Sequence, residues 1–310
     1  MHKTQTVSLV LGSGGARGLA HIGVIQWLLE RGYQIKSISG ASIGALVGGI
    51  YAAQKLDLYT QWVSALERKH VLRLLDPTLG KPGLFKGERI ITVLRELIGD
   101  HAIEDLQISY TAVATDLVSR EEVWLSEGKL FDAIRASIAT PMVFTPYKHH
   151  GKTLLDGALV NPLPISPTLK DETDLTVVVD LSGPAREAFT PRVSQPERNQ
   201  SSYRTRIGKF IDDLQPSRSP REPRHGLIDV AFLSMQAMQD TISKLRLSAY
   251  SPDVTIQIPR NACTFFEFWR AEELISIGRE AAEKAFYQVP PPELVVPGNQ
   301  KTNEIPVAGN

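Results

Sequence analysis

Apolar residues occur along the chain in two alternating patterns, short continuous runs and helical repeats. Residues 7–11 are apolar except at one position, which is typical of a strand buried on both faces of a parallel sheet. After a glycine-rich turn, Ile22, Ile25, Leu28 and Leu29 follow the spacing of a helix. Because such strand-to-helix units recur, we predict an α/β fold with a mainly parallel central sheet flanked by helices on both faces.

The same patterns divide the rest of the chain into elements. Further strands are predicted at residues 35–39, 110–116, 122–126, 153–155, 175–181 and 254–258. Helices are predicted at residues 45–53, over much of 57–104, and at 129–138, 227–247 and 271–286. We therefore expect one domain over residues 1–287.

Two segments depart from these patterns. Residues 183–226 hold six Pro, eight Arg, one Lys and five acidic residues, which gives a local charge of 9 − 5 = +4. This composition predicts a mobile insertion. Within it, an apolar stripe from Tyr203 to Leu214 predicts either an interfacial helix or lid, or a helix docked on the body. The Pro-, Gly- and Asn-rich residues 288–310 are predicted to form a disordered tail.

Composition narrows the class of protein. The 310 residues are 42% hydrophobic, enough for a sizeable core, and 34 Lys and Arg balance 34 Asp and Glu. A net charge of zero gives no global attraction to nucleic acid. A single cysteine, Cys263, favours a reducing compartment. No run approaches the about 18 apolar residues of a membrane span. We expect a cytoplasmic protein, with peripheral contact at the inner membrane left open.

The pentapeptide at residues 40–44, Gly-Ala-Ser-Ile-Gly, matches the G-x-S-x-G pattern of a nucleophile elbow. A predicted strand precedes it and a predicted helix follows. Such an elbow holds the serine, here Ser42, at the tip of a sharp turn, and Gly40 and Gly44 let neighbouring backbone approach. The alternative is a serine that caps a helix in a glycine-rich turn.

The glycine loop at residues 12–18 also joins a predicted strand to a predicted helix. It fits a dinucleotide-binding loop poorly, because Arg17 stands where the third glycine is needed and no acidic residue ends the second strand. Successive backbone N–H groups on glycines can instead bind an anion and serve as an oxyanion hole for Ser42. Gly14 and Gly15 are the candidate donors, with Arg17 as a structural or electrostatic support. The alternative is a tight turn and nothing more.

Asp156-Gly157 directly follows a predicted strand and supplies a candidate base. A partly desolvated carboxylate can accept the proton of a serine, but an Asp-Gly pair is also an ordinary β-turn. A histidine base is the other possibility. His225 falls in the irregular segment and His149-His150 in a basic loop, so we expect the histidines to be surface or packing residues.

Taken together, these motifs resemble the patatin-like phospholipase family, especially its bacterial branch, which is similar to the catalytic domain of neuropathy target esterase. The resemblance covers roughly residues 5–183. Five segments in matching order carry it: Gly12–Gly18, Gly40–Gly44, Val113–Leu117, Ala136–Pro141 and Asp156–Ala158. Ser13 departs from the glycine that many relatives have at that position.

This resemblance implies a Ser–Asp dyad, with Ser42 as nucleophile, Asp156 as base and an oxyanion hole from the glycine loop. It also implies hydrolysis of phospholipids, lysophospholipids or simpler acyl esters without a metal or cofactor. The zero net charge predicts no nucleic-acid partner. The supporting motif residues are Gly12, Arg17, Gly18, Gly40, Gly44 and Gly157. Two rival functions remain, a nucleotide-binding oxidoreductase and a catalytically silent regulatory or scaffold protein.

An acyl chain would need an apolar channel beside the dyad. The candidates are Met142, Val143 and Phe144, and the aromatic cluster Phe265, Phe266, Phe268 and Trp269. The alternative for each of them is ordinary core packing.

Overall fold

An eight-stranded sheet forms the centre of the part of the chain that the computed structural model describes, residues 4–78, 83–187 and 227–287. The strands are β1 (Thr6–Leu11), β2 (Gln34–Ala41), β3 (Ser109–Asp116), β4 (Glu122–Leu125), β5 (Tyr147–His149), β6 (Lys152–Asp156), β7 (Leu175–Gly183) and β8 (Val254–Pro259). The helices are α1 (Ala20–Glu30), α2 (Ile43–Ala52), α3 (Leu56–Ser64), α4 (Arg68–Leu74), α5 (Glu88–Ile98), α6 (Leu130–Ser137), α7 (Leu227–Tyr250) and α8 (Ala271–Tyr287).

The sheet is mainly parallel, as the sequence predicts. Hydrogen bonds connect its strands in the series β5-β6-β3-β2-β1-β7-β8, with β4 also paired to β3. The five strands from β3 to β8 in this order are parallel, and the β3–β4, β3–β6 and β5–β6 pairs are antiparallel. The carboxyl ends of the parallel strands therefore lie at the same end of the sheet, where ligands bind in open α/β sheets.

Alternate residues of the central strands enter two separate cores. Leu9 and Leu11 of β1 belong to the larger core, which holds buried residues of α1, α2 and α8. Val10 of β1 and Val178 of β7 belong to a smaller core, against which Leu247 of α7 packs. Burial on both faces explains why the central strands are continuous apolar runs, and it confirms helices on both faces of the sheet.

The predicted elements are present, with ends that differ by a few residues. The exception is β5, a three-residue strand that the sequence did not indicate. Most of the expected insertion, residues 188–226 with its apolar stripe, and the expected tail, residues 288–310, lie outside the described residues. None of the described helices is both long and apolar enough to span a membrane.

Candidate active site

Ser42 stands at the turn between β2 and α2, in a backbone conformation that side chains rarely adopt. Its φ is 55° and its ψ is −124°. Gly44 makes this turn possible, because a Cβ there would collide with the carbonyl oxygen of Leu11 in β1. The Ser42 N–H donates to Ser137 Oγ at 2.9 Å, and that hydroxyl donates to the Val113 carbonyl at 2.6 Å. The elbow is thus fixed to β1, β3 and α6.

Asp156 reaches Ser42 because β2 and β6 occupy the same edge of β3 in succession. Val113 pairs with Ala41 of β2 and also with β4, and Ala114 pairs with Asp156 of β6 and also with β4. A strand has only two edges, so β2 and β6 both lie on the edge opposite β4. The last β2 pair and the Ala114–Asp156 pair are consecutive along β3, which places the carboxylate beside the elbow.

The two side chains are hydrogen bonded and nearly buried. Ser42 Oγ donates to Asp156 Oδ2 at 2.7 Å, with 6% of Ser42 and 2% of Asp156 exposed. The same Oδ2 accepts from Thr140 Oγ1 at 2.6 Å, while Oδ1 accepts from the Ala158 N–H at 2.9 Å. Burial raises the pKa of Asp156, and the bonds from Thr140, Ala158 and Ser42 oppose that rise.

The glycine loop presents two backbone N–H groups that have no acceptor among the described residues. The amides of Gly12, Ser13 and Ala16 donate to backbone carbonyls, whereas no such bond is formed by the amides of Gly14 and Gly15. Gly15 has a φ of 59°, which favours glycine, and a Cβ there would collide with Phe265. The loop thus turns sharply and leaves two adjacent donors without an acceptor in the described part of the chain.

The side chains of Arg17 and His21 contact backbone carbonyl groups of this loop. Arg17 Nε donates to the Gly14 carbonyl at 3.2 Å, and its Nη1 donates to the Arg260 carbonyl at 2.6 Å. Since the N–H and C=O of one peptide point in opposite directions, the bond to the Gly14 carbonyl orients the N–H of Gly15. The fully buried His21 ring lies with Nε2 2.8 Å from the Gly12 carbonyl oxygen.

The remaining motif glycines are sites of close packing. At each of them an added Cβ would lie closer than 3 Å to a neighbouring residue. These glycines are Gly12, Gly18, Gly40 and Gly157.

An apolar cavity opens beside Ser42. It has a volume of about 820 Å³, counted out to its mouth, and its walls come from α2, α3, α4, α5 and the aromatic segment that precedes α8. Gly15 and Thr140 also line it. A cavity with so apolar a lining suits an apolar ligand or part of one.

A second, more polar cavity meets the first at Ser42, Thr140 and Phe265. It has a volume of about 510 Å³, and its walls include Gly14 and Asp156. Charged and amide side chains complete it: Arg17, Asp180, Gln236, Gln239 and Asp240. Ser42 and Asp156 therefore lie where an apolar space and a polar space join.

Comparison with known proteins decides the family. A sequence model described as Patatin-like phospholipase matches residues 9–169, more than half of the chain. The chain belongs to this family. An uncharacterised NTE family protein of Mycobacterium bovis is 37% identical over 327 residues, covering 90% of this chain and 91% of that one. The resemblance inferred from the motifs is thereby confirmed, and membership supports lipid hydrolase activity in general.

Other proteins match this chain less closely. Neuropathy target esterase sws of Drosophila melanogaster is 33% identical over 200 residues, covering 58% of this chain and 14% of that protein. Among solved structures, VipD from Legionella pneumophila aligns with 92% of this chain and 67% of its own, at 15% identity and a TM-score of 0.41.

The residues proposed for an acyl channel divide into two groups. Phe144, Phe265, Phe266 and Phe268 line the apolar cavity, whereas Met142, Val143 and Trp269 do not. Val143 is buried in the core, and Trp269 lies beneath the guanidinium of Arg68. The candidate channel is therefore built by only part of each predicted cluster.

Two residues that bond to Ser42 or Asp156 have no role predicted from the sequence. Thr140 and Ser137 both lie in the Ala136–Pro141 segment that resembles the family, and this was the signal available for them. No described histidine bonds to Ser42 or Asp156, while His2 and His225 lie outside the described residues. The described residues include no cluster of three or more His, Cys, Asp or Glu side chains able to hold a metal.

Proposed function

We propose that the protein is a lipid acyl hydrolase that cleaves carboxylic esters through an acyl-enzyme on Ser42. The observation that carries this proposal is the 2.7 Å hydrogen bond from Ser42 Oγ to Asp156 Oδ2 at the junction of two cavities. A serine is a weak nucleophile unless an adjacent base takes its proton. The raised pKa of Asp156 makes this carboxylate a better base than an exposed one.

In the first half of the proposed cycle, Ser42 Oγ attacks the carbonyl carbon of the ester while Asp156 takes the hydroxyl proton. The tetrahedral intermediate then expels the alcohol, which receives that proton from Asp156. In the second half, Asp156 removes a proton from water, which attacks the acyl-enzyme. The fatty acid leaves as Ser42 recovers its proton, so the enzyme returns to its starting state.

The free N–H groups of Gly14 and Gly15 are the proposed oxyanion hole. Both glycines line cavities that include Ser42, and their neighbours' amides are already bonded. Donors fixed before the reaction stabilise the charge that develops on the carbonyl oxygen, and losing one such donor costs about 10²–10³ in rate. Arg17, by holding the Gly14 carbonyl, would keep this geometry in place.

The two cavities suggest how the substrate lies. The apolar cavity would take the acyl chain, and the polar cavity would take the alcohol side of the ester. Phospholipids, lysophospholipids and simpler acyl esters all have this division into an apolar acid and a more polar alcohol. The proposed substrate class is therefore a lipid acyl ester, with no metal or cofactor required by the steps above.

We also propose a cytoplasmic location with peripheral contact at the membrane that supplies the lipid. Support comes from the single cysteine, Cys263, a free thiol that is partly exposed. Fractionation of cells that express the tagged full chain, with and without a salt wash of the membranes, tests this location.

The activity is tested by labelling with a fluorophosphonate probe and by hydrolysis of p-nitrophenyl esters of graded chain length. Wild type should react with the probe and hydrolyse the esters. Ser42→Ala should abolish labelling, and both Ser42→Ala and Asp156→Asn should reduce turnover by several orders of magnitude. Matched controls are Ser119→Ala and Asp57→Asn, at exposed positions away from both cavities.

Equal turnover in wild type and Ser42→Ala would refute the assigned nucleophile. If Asp156→Asn kept wild-type turnover, the base would have to be another group. A wild type that neither labels nor hydrolyses any ester would favour the catalytically silent alternative.

A further inference from the structure

Three side chains separate the apolar cavity from a second space on the outside of the molecule. Trp62 in α3, Leu66 between α3 and α4, and Leu74 at the end of α4 line the apolar cavity and also line an open groove. The groove has a volume of about 670 Å³ and is completed by side chains such as Val93 of α5. All three shared residues are partly exposed, so each has one side towards each space.

We propose that Trp62, Leu66 and Leu74 form the end wall that sets the longest acyl chain accepted by the site. This inference rests on the proposed function, because it assigns the acyl chain to the apolar cavity. Each methylene that enters an apolar cavity gains about 0.8 kcal/mol, or roughly fourfold in kcat/KM. The rise in kcat/KM should stop when the acyl chain is long enough to reach the end wall. In a variant that lacks part of the wall, kcat/KM should continue to rise with longer acyl chains.

The position of Leu74 makes it the best residue to shorten. In α4, which has seven residues, Val71 is the buried side chain, and Leu74 lies at the last helical position. Replacing Leu74 with alanine removes atoms from the wall and leaves Val71 in place. The apolar cavity and the groove would then become continuous at this point.

The chain also offers a matched control on the same helix. Leu72 is 61% exposed and lines neither the apolar cavity nor the groove. Leu72→Ala therefore makes the same chemical change on α4 without changing the wall. Leu66→Ala supplies a second opening of the wall from the α3–α4 connection, in case Leu74→Ala does not fold.

The experiment measures kcat/KM on p-nitrophenyl esters from butyrate to stearate, below the concentrations at which they aggregate. In wild type and Leu72→Ala, kcat/KM should rise roughly fourfold with each added methylene and should stop rising at the same chain length. In Leu74→Ala and Leu66→Ala the chain-length limit should move to longer chains than in wild type and in Leu72→Ala. Circular dichroism and fluorophosphonate labelling confirm that each variant is folded and that its serine is reactive.

An unchanged limit in folded, labelled Leu74→Ala and Leu66→Ala would refute the end wall and leave the proposed hydrolase in place. A shift in Leu72→Ala as large as that in Leu74→Ala would also refute it. Loss of all ester hydrolysis in wild type would instead refute the proposed function on which the wall depends.

Discussion

Removing the Thr140 hydroxyl should shift the pH dependence of the reaction. Thr140 Oγ1 donates to the same Asp156 oxygen that accepts the Ser42 hydroxyl, at 2.6 Å, and Thr140 is almost fully buried. Thr140→Val keeps the shape of the side chain and removes this donor. Because the bond favours the ionised carboxylate, its loss should raise the pKa of Asp156 beyond the rise that burial already causes.

The magnitude follows from the strength of the bond. A hydrogen bond to a charged group contributes about 1.5–3 kcal/mol. At about 1.36 kcal/mol for each factor of ten, this corresponds to a roughly 10- to 150-fold loss of the ionised, active form on the acid side of the profile. At higher pH, where Asp156 is ionised in both proteins, kcat/KM should be equal or higher in the variant, because its base is stronger.

The assay is a pH profile of kcat/KM on a single short ester for wild type, Thr140→Val and Thr140→Ser. The acid limb should move to higher pH in Thr140→Val and return towards the wild-type position in Thr140→Ser. Other charged groups near Asp156 in the polar cavity are Arg17, Asp180 and Asp240. Burial also raises the pKa of Asp240, so Asp240→Asn is the control that should leave the limb in place.

Two outcomes would contradict this role for Thr140. An acid limb that stays in place while kcat/KM falls equally at every pH would indicate a structural effect on the site. A limb that moves to lower pH would mean that the hydroxyl favours the protonated carboxyl, the opposite of what its donated bond predicts.

Three further predictions concern strain, protonation and support of the elbow. Ser42→Gly and Ser42→Ala should both be inactive. In thermal unfolding the glycine variant should be more stable than the alanine variant by about 1 kcal/mol, because glycine tolerates the positive φ at this position. Equal stability of the two variants would contradict strain at Ser42. Burial lowers the pKa of His21 to about 4, so below pH 6.5 the unfolded chain binds a proton that the folded protein does not. Urea unfolding should therefore show a loss of roughly 3 kcal/mol between pH 7 and 4 that is absent in His21→Gln, which can still donate to the Gly12 carbonyl; equal losses would rule this out. Ser137→Ala leaves the buried Ser42 N–H without its acceptor, and the unfolding free energy should fall by about 1–3 kcal/mol together with kcat/KM; no change in either would show that the bond does not support the elbow.

Local patterns were sufficient for most of the fold because the central strands are buried on both faces. A strand such as β1 has no solvated side, so its sequence is an apolar run that ends at a glycine loop. β5 lacked such a signal, since it has three residues, none of them buried. It exists because Tyr147 and His149 pair with β6, and nothing in their own sequence requires that pairing.

Contacts between distant parts of the chain explain what the sequence left open at the glycine loop. The order of glycines indicated that Gly14 and Gly15 could offer N–H groups, and Arg17 was expected only as a support. Its actual partner besides Gly14 is the carbonyl of Arg260, 243 residues away. The acceptor is a backbone group, so the contact cannot be predicted from the residue type at position 260.

The position of Asp156, the proposed base, depends on strand register more than on the Asp-Gly sequence itself. Asp156 faces the elbow because β6 joins β3 at Ala114, the residue after the last one paired with β2. Successive side chains of a strand point to opposite faces, so a slip of one residue would turn Asp156 away from Ser42. The same pairing brings Oδ2 within reach of Thr140, whose segment follows α6 and whose neighbour Ala139 accepts a bond from the Asp156 N–H at 3.0 Å. One register therefore aligns Asp156 with Ser42 and supplies the Thr140 hydroxyl, whose bond opposes the rise that burial causes in the pKa of the carboxylate. Neither consequence can be derived from Asp156 and Gly157 alone.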